Sequence, residues 1–233
     1  MELFQKVVTR KMNNELIINN LPKSATSEAI RILRTNLQFT FFENDMKTVL
    51  ITSSIPGEGK SFISSNLSAA FAIQNKKVLL VDCDLRKGRQ HEIFNLKNEL
   101  GLSNLLIDNI KNYKKYIQKT DVENLWVLPK GITPPNPSEL LSSDKNLSLL
   151  AMLKEEYDLI ILDCPPVNAV TDALVLTKMA DEVVIVSAYK ITPMDLLVQT
   201  KKLLENNGAK IAGVVVNRMT KMKNKYYYNK YYK

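Results

Sequence analysis

Hydrophobic residues fall into two rhythms along this chain. Between residues 24 and 41, Ile30, Leu33, Leu37 and Phe41 recur at the spacing of one helical face, behind a Ser24 to Ser27 cluster suited to capping the helix start. The same spacing puts Glu28, Arg31 and Arg34 on a different, solvent-facing side. Farther on, short unbroken apolar runs rich in β-branched residues predict strands at Thr48–Thr52, Val78–Val81, Leu125–Leu128, Leu159–Leu162, Val183–Val186 and Ile211–Val216, with helical stretches between them. Strands that are apolar throughout, rather than alternately, are covered on both faces. The expected fold is therefore α/β, a mostly parallel central β-sheet flanked by helices on both faces. Residues 1–23 read as an irregular N-terminal arm, 24–217 as one domain and 218–233 as a flexible basic tail, with no internal repeat.

Three polar motifs interrupt this pattern, each directly after a strand. Ser53-Ser54-Ile55-Pro56-Gly57-Glu58-Gly59-Lys60-Ser61 precedes a helix expected over Phe62 to Ile73, the setting of a phosphate-binding loop. Its glycines let backbone N–H groups converge on phosphate oxygens, the helix start adds favourable potential, Lys60 reaches the β- and γ-phosphates, and the Ser61 hydroxyl suits Mg²⁺. Ser54 stands where the strict pattern has Gly, and a Gly-rich turn of other purpose is the plain alternative. Next, Asp82 and Asp84 follow the apolar run 78–81 and, two apart on extended chain, point the same way. Third, Asp163 follows Ile160-Ile161-Leu162 and fits a Walker B position, holding Mg²⁺ directly or through water. An Asp in an ordinary turn after a strand is the plain reading of either acidic motif alone.

Taken together, the loop P-G-E-G-K-S, the run D-x-D-x-R at 82–86 and the D-x-P at 163–165 resemble the Walker A, A′ and B set of the bacterial tyrosine kinases of capsule and exopolysaccharide synthesis, in their Gram-positive, split form. Glu28-x-x-Arg31-x-x-Arg34-Thr35-Asn36, Gly101-Leu102-Ser103 and Pro135-Asn136-Pro137-Ser138-Glu139-Leu140-Leu141 extend the resemblance from about residue 24 to the C-terminus. Gly88 departs from it, standing where the family often has Pro, and the N-terminal arm matches nothing in it.

The resemblance implies a P-loop kinase domain over 24–217 that uses ATP and Mg²⁺ to phosphorylate protein tyrosine. It implies that Pro56, Gly57, Glu58, Gly59, Lys60, Ser61 and Phe62 bind the nucleotide, and that Ser61, Asp84 and Asp163 organise the metal. Lys60, Asp82, Asp84 and Asp163 form the catalytic set, with Asp82 the base that takes the tyrosine proton. Asn217, just after the last strand, resembles the adenine-contacting position of related ATPases; its plain reading is a strand-end cap. Glu28, Arg31 and Arg34 become contacts in a ring-like homo-oligomer, against the plain reading of a solvated face with an i,i+3 pair. The implied partners are a transmembrane adaptor of the polysaccharide co-polymerase type, which recruits a cytoplasmic kinase to the inner face of the membrane, and a cognate tyrosine phosphatase.

Charge sharpens this picture at one end. The 233-residue chain has a net charge of +8, but residues 218–233 hold six basic residues and no acid, which leaves the body with +2. A nearly neutral body is not a nucleic-acid-coating surface, so no nucleic-acid partner is expected. The tail also holds Tyr226, Tyr227, Tyr228, Tyr231 and Tyr232, five of nine tyrosines, with too few aliphatics to pack into a core. In the resembling family such a cluster is the autophosphorylation site; base stacking or an inert frayed end are the alternatives. No apolar stretch reaches the roughly 20 residues that span a bilayer, and none reads as a signal peptide, so a cytoplasmic location is expected. Cys83 and Cys164 lack metal spacing and read as small buried fillers, and His91 as a surface or capping residue.

Two other functions stand beside the kinase. A partitioning or septum-site ATPase switch shares the motif order, but its signature lysine early in the loop is Ile55 here, and it has no use for a tyrosine tail. A nucleotide-gated scaffold of an export complex is the third.

Overall fold

In the computed structural model, residues 15–44, 46–108 and 110–219 are described. The helices are α1 (Ile17–Asn20), α2 (Ala25–Asn44), α3 (Lys60–Ala72), α4 (Gln90–Ile93), α5 (Leu102–Ile107), α6 (Pro137–Leu141), α7 (Asp144–Glu156), α8 (Asp172–Thr177) and α9 (Met194–Asn206). The strands are β1 (Thr48–Ser53), β2 (Val78–Asp82), β3 (Gln118–Lys119), β4 (Leu125–Leu128), β5 (Leu159–Asp163), β6 (Glu182–Ala188) and β7 (Ile211–Asn217), in the spatial order β3-β4-β2-β5-β1-β6-β7. All pair in parallel except the short β3, which runs antiparallel to β4 and gives no apolar signal in the sequence.

The strands divide their side chains between two cores, one per sheet face. Val49, Ile51, Val78, Leu80 and Ile161 join Ile63, Leu67 and Phe71 of α3 and Ile30 and Leu37 of α2. Leu50, Leu79, Val81, Ile160 and Leu162 face the opposite way, onto α5, α7 and α8. This strict alternation is the pleat of a strand, hidden in the sequence because both faces are covered.

Most expected strands continue one residue or more past their apolar run, to Ser53, Asp82, Asp163 and Asn217. Apolarity ends there, but the backbone ladder does not. Asp82 still registers with Asp163 across β2 and β5. Likewise α3 begins at Lys60 rather than Phe62, so Lys60 and Ser61 occupy its first turn, where N–H groups have no helical partner.

Two expectations at the N-terminal end need correction. The arm is not irregular throughout: α1 lies within it, with Leu16 and Ile18 buried against α3. Ile18 N–H donates to Asn66 Oδ1 at 2.9 Å and Asn66 Nδ2 donates to the Glu15 oxygen at 2.8 Å, docking the segment. The helix face carrying Glu28, Arg31 and Arg34 is solvated only in part: Glu28 and Arg31 are partly exposed and form the expected i,i+3 pair, but Arg34 is not solvent-facing. Arg34 is half-buried against α3 and donates to the Ala70 oxygen at 3.3 Å, while Ile32 and Phe39 are exposed on α2. Arg31 pairs with Glu28 at 2.9 Å and also donates to the Pro22 oxygen. Ser24 caps α2 as expected, accepting from Ser27 N–H at 3.1 Å. The side chain of Phe41, residues 1–14 and the five tail tyrosines lie outside the described residues.

Candidate active site

Because β1, β2, β5, β6 and β7 are parallel, the segments after them emerge at one edge of the sheet, where open α/β sheets bind their ligands. The loop after β1 turns on Gly57 (φ 82°) and Gly59 (φ 95°), conformations that a side chain disfavours. Gly59 is also crowded: a Cβ there would lie 2.1 Å from Asn217 Nδ2. Asn217, at the end of β7, donates to the Glu58 oxygen at 2.8 Å, and Arg218 donates to the Gly57 oxygen at 2.6 Å. The last strand therefore braces the first loop. Asn217 Oδ1 also accepts from Arg218 N–H at 2.8 Å, as a strand-end cap does.

Glu58 behaves differently from its neighbours in the loop. Its side chain is fully buried and turned away from the loop mouth; it accepts from Ile55 N–H at 2.7 Å, from Ala188 N–H at 3.1 Å and from the Thr192 hydroxyl. Only its backbone is available to a phosphate. Ser54, the departure from the strict loop pattern, is buried too, and its hydroxyl accepts from Thr200 of α9 at 2.9 Å. A glycine could not make that tie.

Asp163 meets Lys60 and Ser61 beyond the loop, with Asp82 and then Asp84 next to it. Asp163 is fully buried and takes hydrogen bonds from Ser64 Oγ at 3.1 Å and Gln90 Nε2 at 2.7 Å, with the Ser61 hydroxyl and the Lys60 charge beside it. Burial raises its pKa, against the lowering pull of Lys60 and these hydrogen bonds. Asp82 is held well above the usual carboxylate range, first by burial and then by the Asp163 charge. Its Oδ2 accepts from Gln90 N–H at 3.0 Å, whereas its Oδ1 is buried without a partner. Asp84, nearer the rim, accepts from Lys87 N–H at 2.9 Å in a turn of its own loop.

This donor set fits a hard dication. Carboxyl and hydroxyl oxygens are the ligands Mg²⁺ prefers, and clustered acids with an orphaned acceptor describe a place short of positive charge. Among the described residues no three His, Cys, Asp or Glu side chains are grouped so that they could hold a metal ion by themselves. A cation here would have to draw the rest of its shell from hydroxyl, water and phosphate oxygens, as Mg²⁺ does in nucleotide sites.

Several sequence-read residues fall outside the site. The Gly101-Leu102-Ser103 segment is scaffold: Leu102 N–H and Ser103 N–H donate to the oxygens of Pro129 and Lys130 at 2.8 and 3.0 Å. Cys83 and Cys164 are buried fillers, as expected. His91 is half-buried in α4 rather than at the surface, and burial lowers its pKa. Conversely, pattern reading missed Gln90, Ser64 and Asp172. Asp172, fully buried at the start of α8, binds Arg86 of the D-x-D-x-R run at 3.0 and 3.3 Å and accepts from the Ser138 hydroxyl. One buried acid thus joins two motifs that are remote in sequence. Its position after Thr171, at a helix start, was the available signal.

A glycine-built loop at the carboxyl edge of a mostly parallel sheet, faced by acids from two adjacent strands, defines a P-loop nucleoside-triphosphatase fold. Residues 46–225 match the family model described as AAA domain. CapB of Staphylococcus aureus is 42% identical over 216 residues, covering 93% of this chain and 94% of CapB, and the tyrosine-protein kinase YwqD of Bacillus subtilis (strain 168) is 40% identical, covering 89% and 87%. Among solved structures, the chimerical protein CapA2B2 superposes with a TM-score of 0.84 at 44% identity, covering 89% of this chain and 91% of that one. The septum site-determining protein MinD complexed with Mg-ADP, from Pyrococcus horikoshii OT3, superposes at 0.63 with 25% identity, covering 76% and 72%. The chain belongs to the bacterial tyrosine-protein kinases, within the P-loop fold class.

Proposed function

We propose that this kinase transfers the γ-phosphoryl group of ATP to the tyrosines of its own C-terminal cluster, Tyr226, Tyr227, Tyr228, Tyr231 and Tyr232, and thereby regulates capsular or exopolysaccharide synthesis and export. The observation that carries this reading is the convergence of Lys60, Ser61, Asp82, Asp84 and Asp163 at one sheet edge beside the glycine loop. Backbone N–H groups of residues 56–62 cradle the phosphates and Lys60 neutralises their charge. Ser61, Asp84 and Asp163 hold Mg²⁺, which supplies charge neutralisation for the transferring phosphoryl group. The tyrosine oxygen bonds to the γ-phosphorus, the bond to the ADP oxygen breaks, and the phenol proton passes to Asp82. An acid whose proton affinity is raised by burial and a neighbouring carboxylate suits that role. Asp82 is fully buried beneath Gly88, where a Cβ would lie 2.2 Å from Asp82 Oδ1, so the turn at Lys87 and Gly88 moves aside to admit the phenol while Gln90 stays in place.

Asn217 either contacts adenine or acts through the loop it braces. Phosphorylating five tyrosines adds about −1.5 to −2 charge each and reverses the sign of the basic tail. That change releases tails from neighbouring sites in a ring-like oligomer joined through the helix of Glu28, Arg31 and Arg34, and a cognate phosphatase resets it. Light scattering tests this part, since equal masses before and after phosphorylation would remove it. Among the described residues no helix is long and apolar enough to cross a membrane. In this reading a transmembrane adaptor brings the kinase to the inner face of the membrane and activates it; a turnover unchanged by the adaptor's cytoplasmic segment excludes activation.

The decisive test is incubation of purified chain with labelled ATP and Mg²⁺, followed by mass mapping, beside Lys60→Met and a chain truncated after Met219. Phosphotyrosine confined to Tyr226–Tyr232 and absent from Lys60→Met supports the reading. Hydrolysis without protein labelling, even with the adaptor segment present, moves the function to a MinD-like switch.

A further inference from the structure

Gln90 lies outside every motif singled out in the sequence, yet it ties three parts of the acidic site together. It is fully buried. Its main-chain N–H donates to Asp82 Oδ2 at 3.0 Å, and its side-chain Nε2 donates to Asp163 Oδ2 at 2.7 Å and to the Ser61 main-chain oxygen at 3.2 Å. Both partners of Nε2 are acceptors, so the amide orientation is fixed by its surroundings. The other end, Oε1, is thereby committed to being an acceptor, and it is buried with no donor. Asp82 Oδ1, on the carboxyl group that Gln90 N–H holds, is the second buried acceptor without a donor. Orphaned acceptors of this kind are costly and call for an explanation.

Both orphans ask for the same thing, an O–H donor. Mg²⁺ usually keeps several waters when protein binds it, and the hydrogens of those waters point outward to acceptors. We infer that Gln90 is a positioning residue for the metal: Nε2 holds the Asp163 carboxyl in place, and Oε1 accepts from a water of the Mg²⁺ shell. One residue then sets both the orientation of a metal-organising acid and the seat of the hydrated ion. Partners of this outer kind are typically worth about 10–100-fold in metal affinity. The inference rests on the proposed Mg²⁺-nucleotide site, and the experiment separates the two.

The affinity of the purified full-length chain for a fluorescent ATP analogue is measured with Mg²⁺ and with EDTA, for the unmodified chain, Gln90→Met and Gln90→Glu. The quantity read is the gain in affinity that Mg²⁺ brings; Mn²⁺ bound in the presence of ADP is counted separately by electron paramagnetic resonance. Gln90→Met, which keeps the volume and removes the amide, is expected to lose about tenfold of the Mg²⁺-dependent gain. Its affinity in EDTA stays within about twofold, because Lys60 and the loop N–H groups keep their places and only the 3.2 Å hydrogen bond to the Ser61 oxygen is lost. Gln90→Glu keeps an acceptor oxygen but turns the Nε2 donor into a second oxygen facing Asp163 Oδ2 and the Ser61 oxygen, so it loses the gain at least as fully. A purely structural role lowers affinity in both conditions alike, together with the melting temperature. An unchanged gain in Gln90→Met or in Gln90→Glu overturns the inference. An unmodified chain that gains nothing from Mg²⁺ overturns the metal site itself, and the inference with it.

Discussion

The side-chain amide of Asn217 donates to the main-chain oxygen of Glu58 at 2.8 Å, joining the end of β7 to the phosphate loop across 159 positions of sequence. The same amide lies where a Cβ of residue 59 would be. Replacing Asn217 with Ala therefore frees the loop without touching any residue of its glycine motif. One such hydrogen bond is worth about 0.5–1.5 kcal/mol net, so nucleotide affinity is expected to fall about two- to tenfold, read by titration with a fluorescent nucleotide. Gly59→Ala, which has to displace Asn217 and hold a strained φ, loses far more.

Glu58 makes a prediction of the opposite character, because its side chain braces the loop from behind. Glu58→Ala leaves the N–H groups of Ile55 and Ala188 and the Thr192 hydroxyl short of an acceptor in a buried place. Urea unfolding should show a loss of about 1–3 kcal/mol, accompanied by weaker nucleotide binding. A variant with unaltered stability would mean that water reaches these donors.

The Arg86–Asp172 pair is unequal: the arginine side chain is 41% exposed and the aspartate 0%. Asp172→Asn leaves an arginine that can turn to solvent. Arg86→Ala strands a buried acid that keeps the Ser138 hydroxyl but loses its charged partner. Removing Arg86 is therefore the more damaging change, by about 1–2 kcal/mol, in the direction that broken buried pairs show. Equal losses in urea unfolding would contradict this ordering.

Acid and base should act on different ends of the molecule. Burial alone would raise Asp181, but hydrogen bonds from Lys47 N–H and Thr48 N–H and the charge of Lys154 outweigh it and hold the acid below its usual range. A depressed acid stabilises the fold above its unfolded pKa, near 4, and that stability is lost as pH falls through the folded value. Asp82 is raised, so its contribution is present in acid and lost as pH rises through its folded pKa. Melting curves against pH should thus show Asp181→Asn below the unmodified chain at neutral pH and converging with it in strong acid. Asp82→Asn should melt above the unmodified chain at pH 7–8, by the equivalent of about 1 kcal/mol, while losing phosphoryl transfer. A lower melting temperature for Asp82→Asn would show that the acid is not a source of instability.

Much of this protein is set by local pattern. Apolar runs located β1, β2, β4, β5, β6 and β7, and polar residues at their ends located Lys60, Ser61, Asp82, Asp84 and Asp163, because parallel strands need apolar cover and deliver their succeeding loops to one edge. Tertiary structure decided which of these residues work together. Asp82 meets Asp163 because β2 pairs with β5, a register set by long-range packing and invisible in either segment alone. Arg34, read as solvent-facing, is half-buried because α3 packs against it, and the helical period cannot say which flank a neighbour will cover. Gln90, Glu58 and Asp172 carry no motif role for their side chains. Their significance comes from burial beside partners 73, 130 and 86 positions away, and hydrogen bonds made across such distances depend on the folded chain rather than on neighbours in sequence.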